Sequence, residues 1–191
     1  MIETLVEFDK QLFLFLNSFH NEFWDSVLWY VSKTSPWLPL YLSIVLWLFL
    51  SNNYQKASIA LLLVIPLMFA TDSGSVHLFK EVFERLRPCH DPDLSDVIHN
   101  VRRCGGRFGF ISSHAANTFG IAVFFLNLFH NKKWTTALLV WATLVSYSRI
   151  YLGVHFPADI FAGAVWGALW GWIIFKLYLT ITRRMESVLS R

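Results

Sequence analysis

The sequence has little charge and little cysteine. Of its 191 residues only 15% are charged and two are cysteines, whereas 55% are hydrophobic. A soluble domain usually carries about 25% charge, so a water-soluble globule of this composition would lack polar residues to cover its surface. Two cysteines exclude a disulfide-dense secreted scaffold, and the abundance of apolar residues excludes a disordered chain. The composition therefore predicts an integral membrane protein.

The small excess of basic residues forms no continuous stripe. The net charge is +3 and the pI is about 9.0, but the basic residues lie in short connections between apolar runs. A nucleic-acid-binding surface needs a clustered basic face or a recognisable module, and neither is present in the sequence. We therefore expect no nucleic-acid partner.

Apolar runs alternate with short polar connections along the chain. The candidate spans are 36–50, 57–79, 113–130, 134–150 and 157–180. In residues 1–20, apolar side chains at three- and four-residue spacing predict an amphipathic helix that either lies in the membrane interface or packs on other helices. The fold class is thus an all-α polytopic membrane helix bundle, with about five transmembrane helices plus the amphipathic helix, in one domain over 1–191. Whether 23–35 enters the bilayer stays open.

The membrane orientation rests on the two cysteines, because Lys and Arg are similarly numerous on both sides of the predicted bundle. Cys89 and Cys104 both lie in the long polar segment 88–112. A disulfide between them would persist only in an oxidising compartment and would stabilise the fold by about 3 kcal/mol. We therefore expect this segment outside a cytoplasmic (inner) membrane, facing the periplasm or exterior.

Ionisable residues gather in three clusters at the ends of the predicted spans. They lie at 80–88, 108–114 and 148–159. Such residues are energetically costly near a bilayer and are functional candidates by default. If the spans alternate in direction, all three clusters reach the same membrane face. The sequence therefore predicts a single polar site at the outer rim of the bundle.

The residue types in these clusters suit an anion. Lys80, Arg87 and Arg149 supply fixed positive charges, while Ser112 and Ser113 supply hydroxyl and backbone donors at the start of a helix. Guanidinium groups match phosphate oxygens bidentately, and the first N–H groups of a helix favour anions. The clusters predict a receptor for phosphate or a phosphate-like anion.

Two histidines and a carboxylate complete the predicted site. His155 and Asp159 are four residues apart, so on one helical turn the carboxylate can hold the imidazole in one tautomer. His155 is then the candidate nucleophile, and His114 is the candidate acid that protonates the leaving oxygen. Glu84, spaced at i,i+4 from Lys80 and at i,i+3 from Arg87, is predicted to pair with both and orient them, and Asp72 is expected to be structural.

We expect no metal and no cofactor. The predicted site lacks the acidic cluster that would hold magnesium. The segment 88–112 offers a metal alternative, through the acidic and histidine residues His90, Asp91, Asp93, Asp96 and His99. We interpret these residues as a solvated polar loop.

These residues resemble the type-2 phosphatidic acid phosphatase superfamily of membrane lipid phosphatases, whose pattern is K-x6-RP, PSGH and SR-x5-H-x3-D. The first element fits from Lys80 to Arg87, and the third fits from Ser148 to Asp159 without a change of spacing. The second element departs from the pattern, because Ile111 replaces the proline and Ser113 replaces the glycine. The resemblance covers 80–159.

The resemblance implies a phosphohistidine intermediate on His155, no cofactor, and lipid phosphate or diphosphate substrates held in the bilayer. Undecaprenyl diphosphate or the phosphate of lipid A is favoured, followed by phosphatidylglycerophosphate and phosphatidic acid. Arg102, Arg103 and Arg107 are candidates for contact with a bulky anionic head group. A membrane transporter or binding protein that uses the same basic cluster is the alternative, and the oligomeric state stays open.

Overall fold

The computed structural model describes residues 2–102 and 104–189 and shows a bundle of helices. Its α-helices are α1 (Ile2–Asn17), α2 (Glu22–Val31), α3 (Leu38–Ser51), α4 (Tyr54–Met68), α5 (Glu81–Phe83), α6 (Ser113–Phe129), α7 (Lys132–Tyr151) and α8 (Pro157–Leu189). Within the described residues the extended backbone is limited to one isolated bridge, between Leu86 and Phe108. The predicted all-α membrane bundle is confirmed.

Helices of the bundle meet the requirements for a membrane span to different degrees. The continuous stretch Tyr54–Phe83 and the stretch Pro157–Val188 are long and apolar enough to cross a bilayer. The pair Glu22–Val31 and Ser35–Ser51 counts as a third span only if treated as one broken helix, because it bends by 67°. The helix Ser113–Phe129 is apolar but too short to qualify as a span by itself. Helix α7 does not meet the combined requirements of length, hydropathy and low charge. All five predicted runs are helical, but by length and composition two or three of the described helices qualify as candidate spans.

Helix α4 continues toward the site through wide turns. Pro66 lies inside the helix, and π-helical turns follow at Phe69–Ser73 and Val76–Lys80 before the short α5. Proline removes a backbone donor from the helical ladder, and π turns occur most often at functional sites. The irregular end of this span is therefore where the first polar cluster begins.

Helices α6 and α8 approach each other closely through glycine. A Cβ on any of the three α8 glycines would overlap a carbonyl oxygen of α6 or of its cap; these are Gly163, Gly167 and Gly171, facing Ser112, Ala116 and Gly120 respectively. Small residues at four-residue spacing allow such contact between membrane helices. This close packing brings the start of α8 against the start of α6.

The hydrophobic core lies between α3, α4, α6, α7 and α8, whose buried residues include Leu48, Ala60, Phe124, Trp141 and Ile174. Large apolar side chains also cover the outside of the bundle, for example Leu62 at 64% and Phe161 at 73% exposed. An apolar exterior of this kind suits contact with lipid chains.

Helix α1 packs on the bundle with one face only. Phe13 is fully buried against Phe156, with ring centroids 5.3 Å apart, and Asn17 donates hydrogen bonds to the carbonyl oxygens of Ile150 and Tyr151. The other face exposes apolar side chains such as Phe8. Both placements considered for residues 1–20 are therefore combined: one side contacts helices and the other is free to contact lipid.

Candidate active site

The three polar clusters meet in one cavity of about 420 Å³. Six residues singled out from the sequence line it: Lys80, Arg87, Ser113, His114, Arg149 and His155. They come from the end of the α4 span, the start of α6, the end of α7 and the turn before α8. The packing of α8 on α6 places the second and third clusters side by side.

His155 and Asp159 form a buried pair at the base of the cavity. Nδ1 of His155 lies 3.3 Å from Oδ2 of Asp159, and the exposed fractions of the two residues are 1% and 0%. Pro157 begins α8, so the pair spans the first turn of that helix. The Asp159 carboxylate also accepts a hydrogen bond from the backbone N–H of Phe156 at 3.0 Å. The carboxylate is therefore held in place from two sides.

The tautomer of His155 follows from its two neighbours. Nε2 lies 3.1 Å from Nη1 of Arg87, and a guanidinium can only donate a hydrogen bond. Nε2 is thus the acceptor, and Nδ1 carries the proton that is shared with Asp159. Burial lowers the pKa of His155 well below its usual range, and the charge of Arg87 acts in the same direction. His155 therefore lines the cavity as a neutral imidazole whose Nε2 lone pair accepts a hydrogen bond from Arg87.

The cationic side chains surround this nitrogen. Nζ of Lys80 donates a 2.6 Å hydrogen bond to Oγ of Ser113. The Nε atoms of Arg87 and Arg149 are buried, and neither has a partner among residues 2–102 and 104–189. Both residues line the cavity, and a buried donor is normally satisfied, so the two guanidinium groups have hydrogen-bonding capacity left for an anion there. The arrangement fits a tetrahedral phosphate facing His155.

Ser112 is not on the cavity wall, although it was predicted to supply donors to the anion. Its side chain is fully buried, where its Oγ accepts a hydrogen bond from the backbone N–H of Ala115 and caps α6. Its own N–H donates to the carbonyl oxygen of Asp159 at 3.0 Å. Ser112 therefore positions α6 against α8, whereas Ser113 and His114 are on the cavity wall.

Arg85 is a site residue that sequence reasoning missed. Its Nη1 donates to Oδ1 of Asp159 at 2.9 Å, and its Nη2 donates to Oδ2 of Asp9 in α1 at 2.6 Å. The guanidinium also lies over the ring of Phe156, 4.2 Å from its centroid. A fully buried carboxylate needs a cation beside it, and that requirement was the available signal. The distant partner Asp9 gave no signal in the sequence.

The acidic residues Glu84 and Asp72 differ in their relation to the cavity. The predicted pairing of Glu84 with Lys80 and Arg87 is wrong: α5 ends before Glu84, which has a left-handed φ of 45° and makes no ion pair within the described part of the chain. The helical spacing that would join them is lost there. Asp72 lines the cavity, and its Oδ1 accepts a hydrogen bond from Asn117 at 3.2 Å.

The segment 88–112 is tied down by covalent and ionic contacts. Cys89 and Cys104 form a disulfide with their Cα atoms 6.0 Å apart. Lys10 of α1 pairs with Asp91 at 2.9 Å and with Asp93 at 3.5 Å. Two of the three acidic residues considered as metal ligands are thus engaged by a lysine, and Asp96 accepts a hydrogen bond from Ser95.

Among the described residues, one group has metal-ligand spacing: Cys89, His90 and Cys104. Its two sulfur atoms are joined in the disulfide and so offer no thiolate. Of the three arginines considered for head-group contact, Arg102 lies over Trp29 and Arg107 lies over Phe108. Arg103 lies outside the described residues.

A second wall of the cavity comes from the bend between α2 and α3, which sequence reasoning did not connect with the site. Lys33, Thr34, Trp37 and Tyr41 line this side. Their only sequence signal was the proline-containing break at 32–36, which predicts a turn without indicating what it faces.

Together, the bundle and the histidine-and-cation cavity define a helical membrane protein with a phosphate-binding site. The family model described as the PAP2 superfamily matches residues 58–183, and the chain belongs to this family. The protein is therefore a membrane phosphatase that acts on lipid phosphates.

Two relatives and one solved structure illustrate the family. The chain is 38% identical to a lipid A 4'-phosphatase of Bacteroides thetaiotaomicron, over 98% of this chain and 84% of that protein. It is 34% identical to a lipid A 4'-phosphatase of Porphyromonas gingivalis, over 93% and 76% of the respective chains. A PAP2-type phosphatidylglycerolphosphate phosphatase from Bacillus subtilis shares the fold, with a TM-score of 0.70, 22% identity, and 95% and 87% coverage.

Proposed function

We propose that the protein removes the terminal phosphate from a glycolipid of the lipid A type, through a phosphohistidine intermediate on His155 and without a metal. The observation that carries the mechanism is the orientation of His155 on the cavity wall, with Nδ1 held by Asp159 and an unprotonated Nε2 beside Arg87. When the substrate phosphate binds, the Arg87 guanidinium turns from Nε2 to the phosphoryl oxygens and leaves the lone pair free to attack. Undecaprenyl diphosphate, phosphatidylglycerophosphate and phosphatidic acid are the other substrates to be tested.

In the first step, Nε2 of His155 forms a bond to phosphorus as the bond from phosphorus to the lipid oxygen breaks. The departing oxygen takes a proton from His114, which lies on the cavity wall. The imidazole gains positive charge, which the Asp159 carboxylate stabilises. Lys80, Arg87 and Arg149 stabilise the charge on the phosphoryl oxygens, as phosphoryl transfer requires.

In the second step, water attacks the phosphorus of the phosphohistidine. His114, now neutral, accepts a proton from this water, and the bond between phosphorus and Nε2 breaks. Inorganic phosphate leaves, and His155 returns to its neutral tautomer. All groups needed for both steps belong to residues that line the cavity or contact them.

Two further observations support the substrate and the location. Lipid A 4'-phosphatases are 34–38% identical to this chain over nearly its whole length. The disulfide between Cys89 and Cys104 lies in the segment 88–112, and Cys89 follows Arg87 of the first cluster by two residues. Because disulfides persist in oxidising compartments, we place the cavity at the outer face of the cytoplasmic membrane.

The test is phosphate release by the detergent-purified protein, in excess EDTA, from a panel of the four lipids. We expect release from lipid A, loss of release in His155→Ala, and retention in His77→Ala, because His77 is exposed and pairs with Glu81 away from the cavity. Quenching in alkaline detergent should trap an acid-labile, alkali-stable phosphoprotein in the wild type and in His77→Ala, but not in His155→Ala. Loss of activity in EDTA that magnesium restores would contradict the mechanism. Binding of the lipids without release would favour the transport or binding alternative.

A further inference from the structure

A second polar pocket adjoins the catalytic cavity. It has a volume of about 450 Å³ and lies between α2 and the segment 88–112, with Trp29, Tyr30, Lys33 and Arg102 on its walls. Lys33 also lines the catalytic cavity, so the two spaces share one side chain. A substrate whose phosphate lies in the cavity can thus extend past Lys33 into this pocket.

The pocket carries two cations without ion-pair partners. Within the described residues, neither Lys33 nor Arg102 pairs with a carboxylate. The acidic side chain in the pocket, Asp25, is already engaged by the hydroxyl of Tyr151 at 2.7 Å and by His99 at 2.8 Å. The pocket therefore presents net positive charge, and a second anionic group would complement it.

Aromatic rings form the floor between these cations. Nζ of Lys33 lies 5.1 Å from the Trp29 ring centroid and 5.3 Å from that of Tyr30, and the Arg102 guanidinium lies 5.1 Å from the Trp29 ring. Tyr30 is 63% exposed. Flat aromatic surface next to fixed polar groups suits a ring that is apolar on its faces and polar at its edge, as a sugar is.

The pocket is held in shape by contacts across its walls. The bond from His99 to Asp25 ties the segment 88–112 to α2, and the rings of His99 and His20 stack with centroids 3.8 Å apart. Asn17 accepts a hydrogen bond from the backbone N–H of His99 at 2.8 Å. Arg102 follows three residues later, so its backbone is positioned by this network.

We propose that this pocket is a specificity site for the distal part of the substrate head group. A second anionic group of the same molecule, such as a second phosphate, draws Lys33 and Arg102 off the aromatic rings and lies between them. A sugar ring lies on the surface of Trp29 and Tyr30 that the two cations leave. The reacting phosphate occupies the neighbouring cavity. This inference rests on the proposed phosphatase function. The pocket selects head groups that are large, carbohydrate-based and doubly anionic.

The kinetic test compares two substrates in neutral detergent micelles: lipid A with both phosphates, and phosphatidic acid. In Arg102→Ala and Lys33→Ala, we expect the ratio of kcat/KM for lipid A to that for phosphatidic acid to fall about tenfold, mainly through KM, because a charge-assisted contact is lost. Lys33→Arg should retain most of the ratio. The control is Lys176→Ala, a cation that lies over Trp172 of α8 and lines neither the pocket nor the cavity, and its ratio should stay at the wild-type value.

A binding test separates this inference from the proposed function. In the His155→Ala background, lipid A with two phosphates should bind more tightly than the form that keeps only the reacting phosphate. Adding Arg102→Ala should remove the difference. This result would support the pocket even if the wild type released no phosphate, which would refute only the proposed function.

Four results would overturn the inference. One is an equal loss for both lipids in the pocket variants, and another is no change for either. The third is an effect seen in anionic vesicles but not in neutral micelles, which would assign these cations to bilayer lipids. Inhibition by inorganic phosphate should be unchanged in Arg102→Ala; weaker inhibition would assign the pocket to free phosphate and also count against the proposal.

Discussion

Nη1 of Arg85 donates a 2.9 Å hydrogen bond to Oδ1 of Asp159, the carboxylate whose Oδ2 faces His155. The same guanidinium reaches Asp9 of α1, so a helix outside the three sequence clusters takes part in orienting the nucleophile. Arg85 is a positioning residue: it acts on His155 through Asp159 and is absent from the cavity wall.

Replacing Arg85 should lower turnover more than substrate binding. In Arg85→Ala the Asp159 carboxylate loses its cation, and we expect kcat to fall about tenfold or more while KM changes little. Arg85→Lys should recover part of kcat because it restores the charge. Steady-state kinetics on the preferred lipid, with Arg107→Ala as the control, measures this. A change in KM alone would contradict the positioning role.

His114→Ala should affect lipids with poor leaving groups most strongly. A general acid contributes about 100-fold or more when the leaving oxygen must be protonated, and little when it is already a weak base. We therefore expect a large loss of kcat on a lipid phosphate and a much smaller loss on an aryl phosphate. Equal losses on both substrates would show that His114 is not the acid.

Gly167→Ala should destabilise the contact between α6 and α8. The new Cβ would overlap the carbonyl oxygen of Ala116, so backbone must shift, and overpacking of this kind typically costs about 1–3 kcal/mol. Gly106→Ala is the matched control, because its Cβ would meet nothing within 4 Å. Denaturation in detergent compares the two; similar unfolding of both variants would contradict the close approach.

Removing the disulfide should destabilise the protein. The two cysteines are 15 residues apart, and closing a loop of this size contributes about 3 kcal/mol in the chain-entropy model. We expect Cys89→Ser with Cys104→Ser to lower the free energy of unfolding by that amount. Reductant should lower the thermal midpoint of the wild type and leave the double variant unchanged. Two reactive thiols in the unreduced, denatured wild type would disprove the bond.

The free energy of unfolding should decrease at acid pH because of His155. Its pKa in the folded state is lowered by burial, whereas an unfolded histidine titrates near about 6.5. Above about pH 6.5 neither state binds a proton at this residue. Below it the unfolded chain binds a proton that the folded chain does not, so the free energy of unfolding decreases as pH falls. Thermal midpoints from about pH 8 to about pH 5 should therefore fall less steeply in His155→Gln than in the wild type.

The ends of a helix were predicted to within a few residues where its apolar run stops at polar residues. The expected runs 113–130 and 134–150 correspond to Ser113–Phe129 and Lys132–Tyr151. The run 57–79 was predicted too short, because the helical path continues through π turns to Phe83 and includes the charged Lys80 and Glu81. Hydropathy marks where apolar side chains stop, but backbone hydrogen bonding continues beyond that point.

Several residues of the site could also be predicted from their spacing in the sequence, since Lys80, Arg87, Arg149 and His155 all line the cavity. The contribution of Arg85 with Asp9 was not accessible, because the two residues are 76 positions apart and neither belongs to a shared pattern. Lys33 was missed for the same reason: its closeness to the site depends on the bend between α2 and α3.

The sequence by itself determined that the chain is a membrane helix bundle with its histidines and cations at the ends of apolar runs, because hydropathy and spacing are properties of neighbouring residues. Only the tertiary structure decided which atoms meet. The close packing of α8 on α6 buries Ser112 as a cap, and the turn before α8 directs Nε2 of His155 to Arg87. Such orientations depend on contacts between distant segments, which no local pattern encodes.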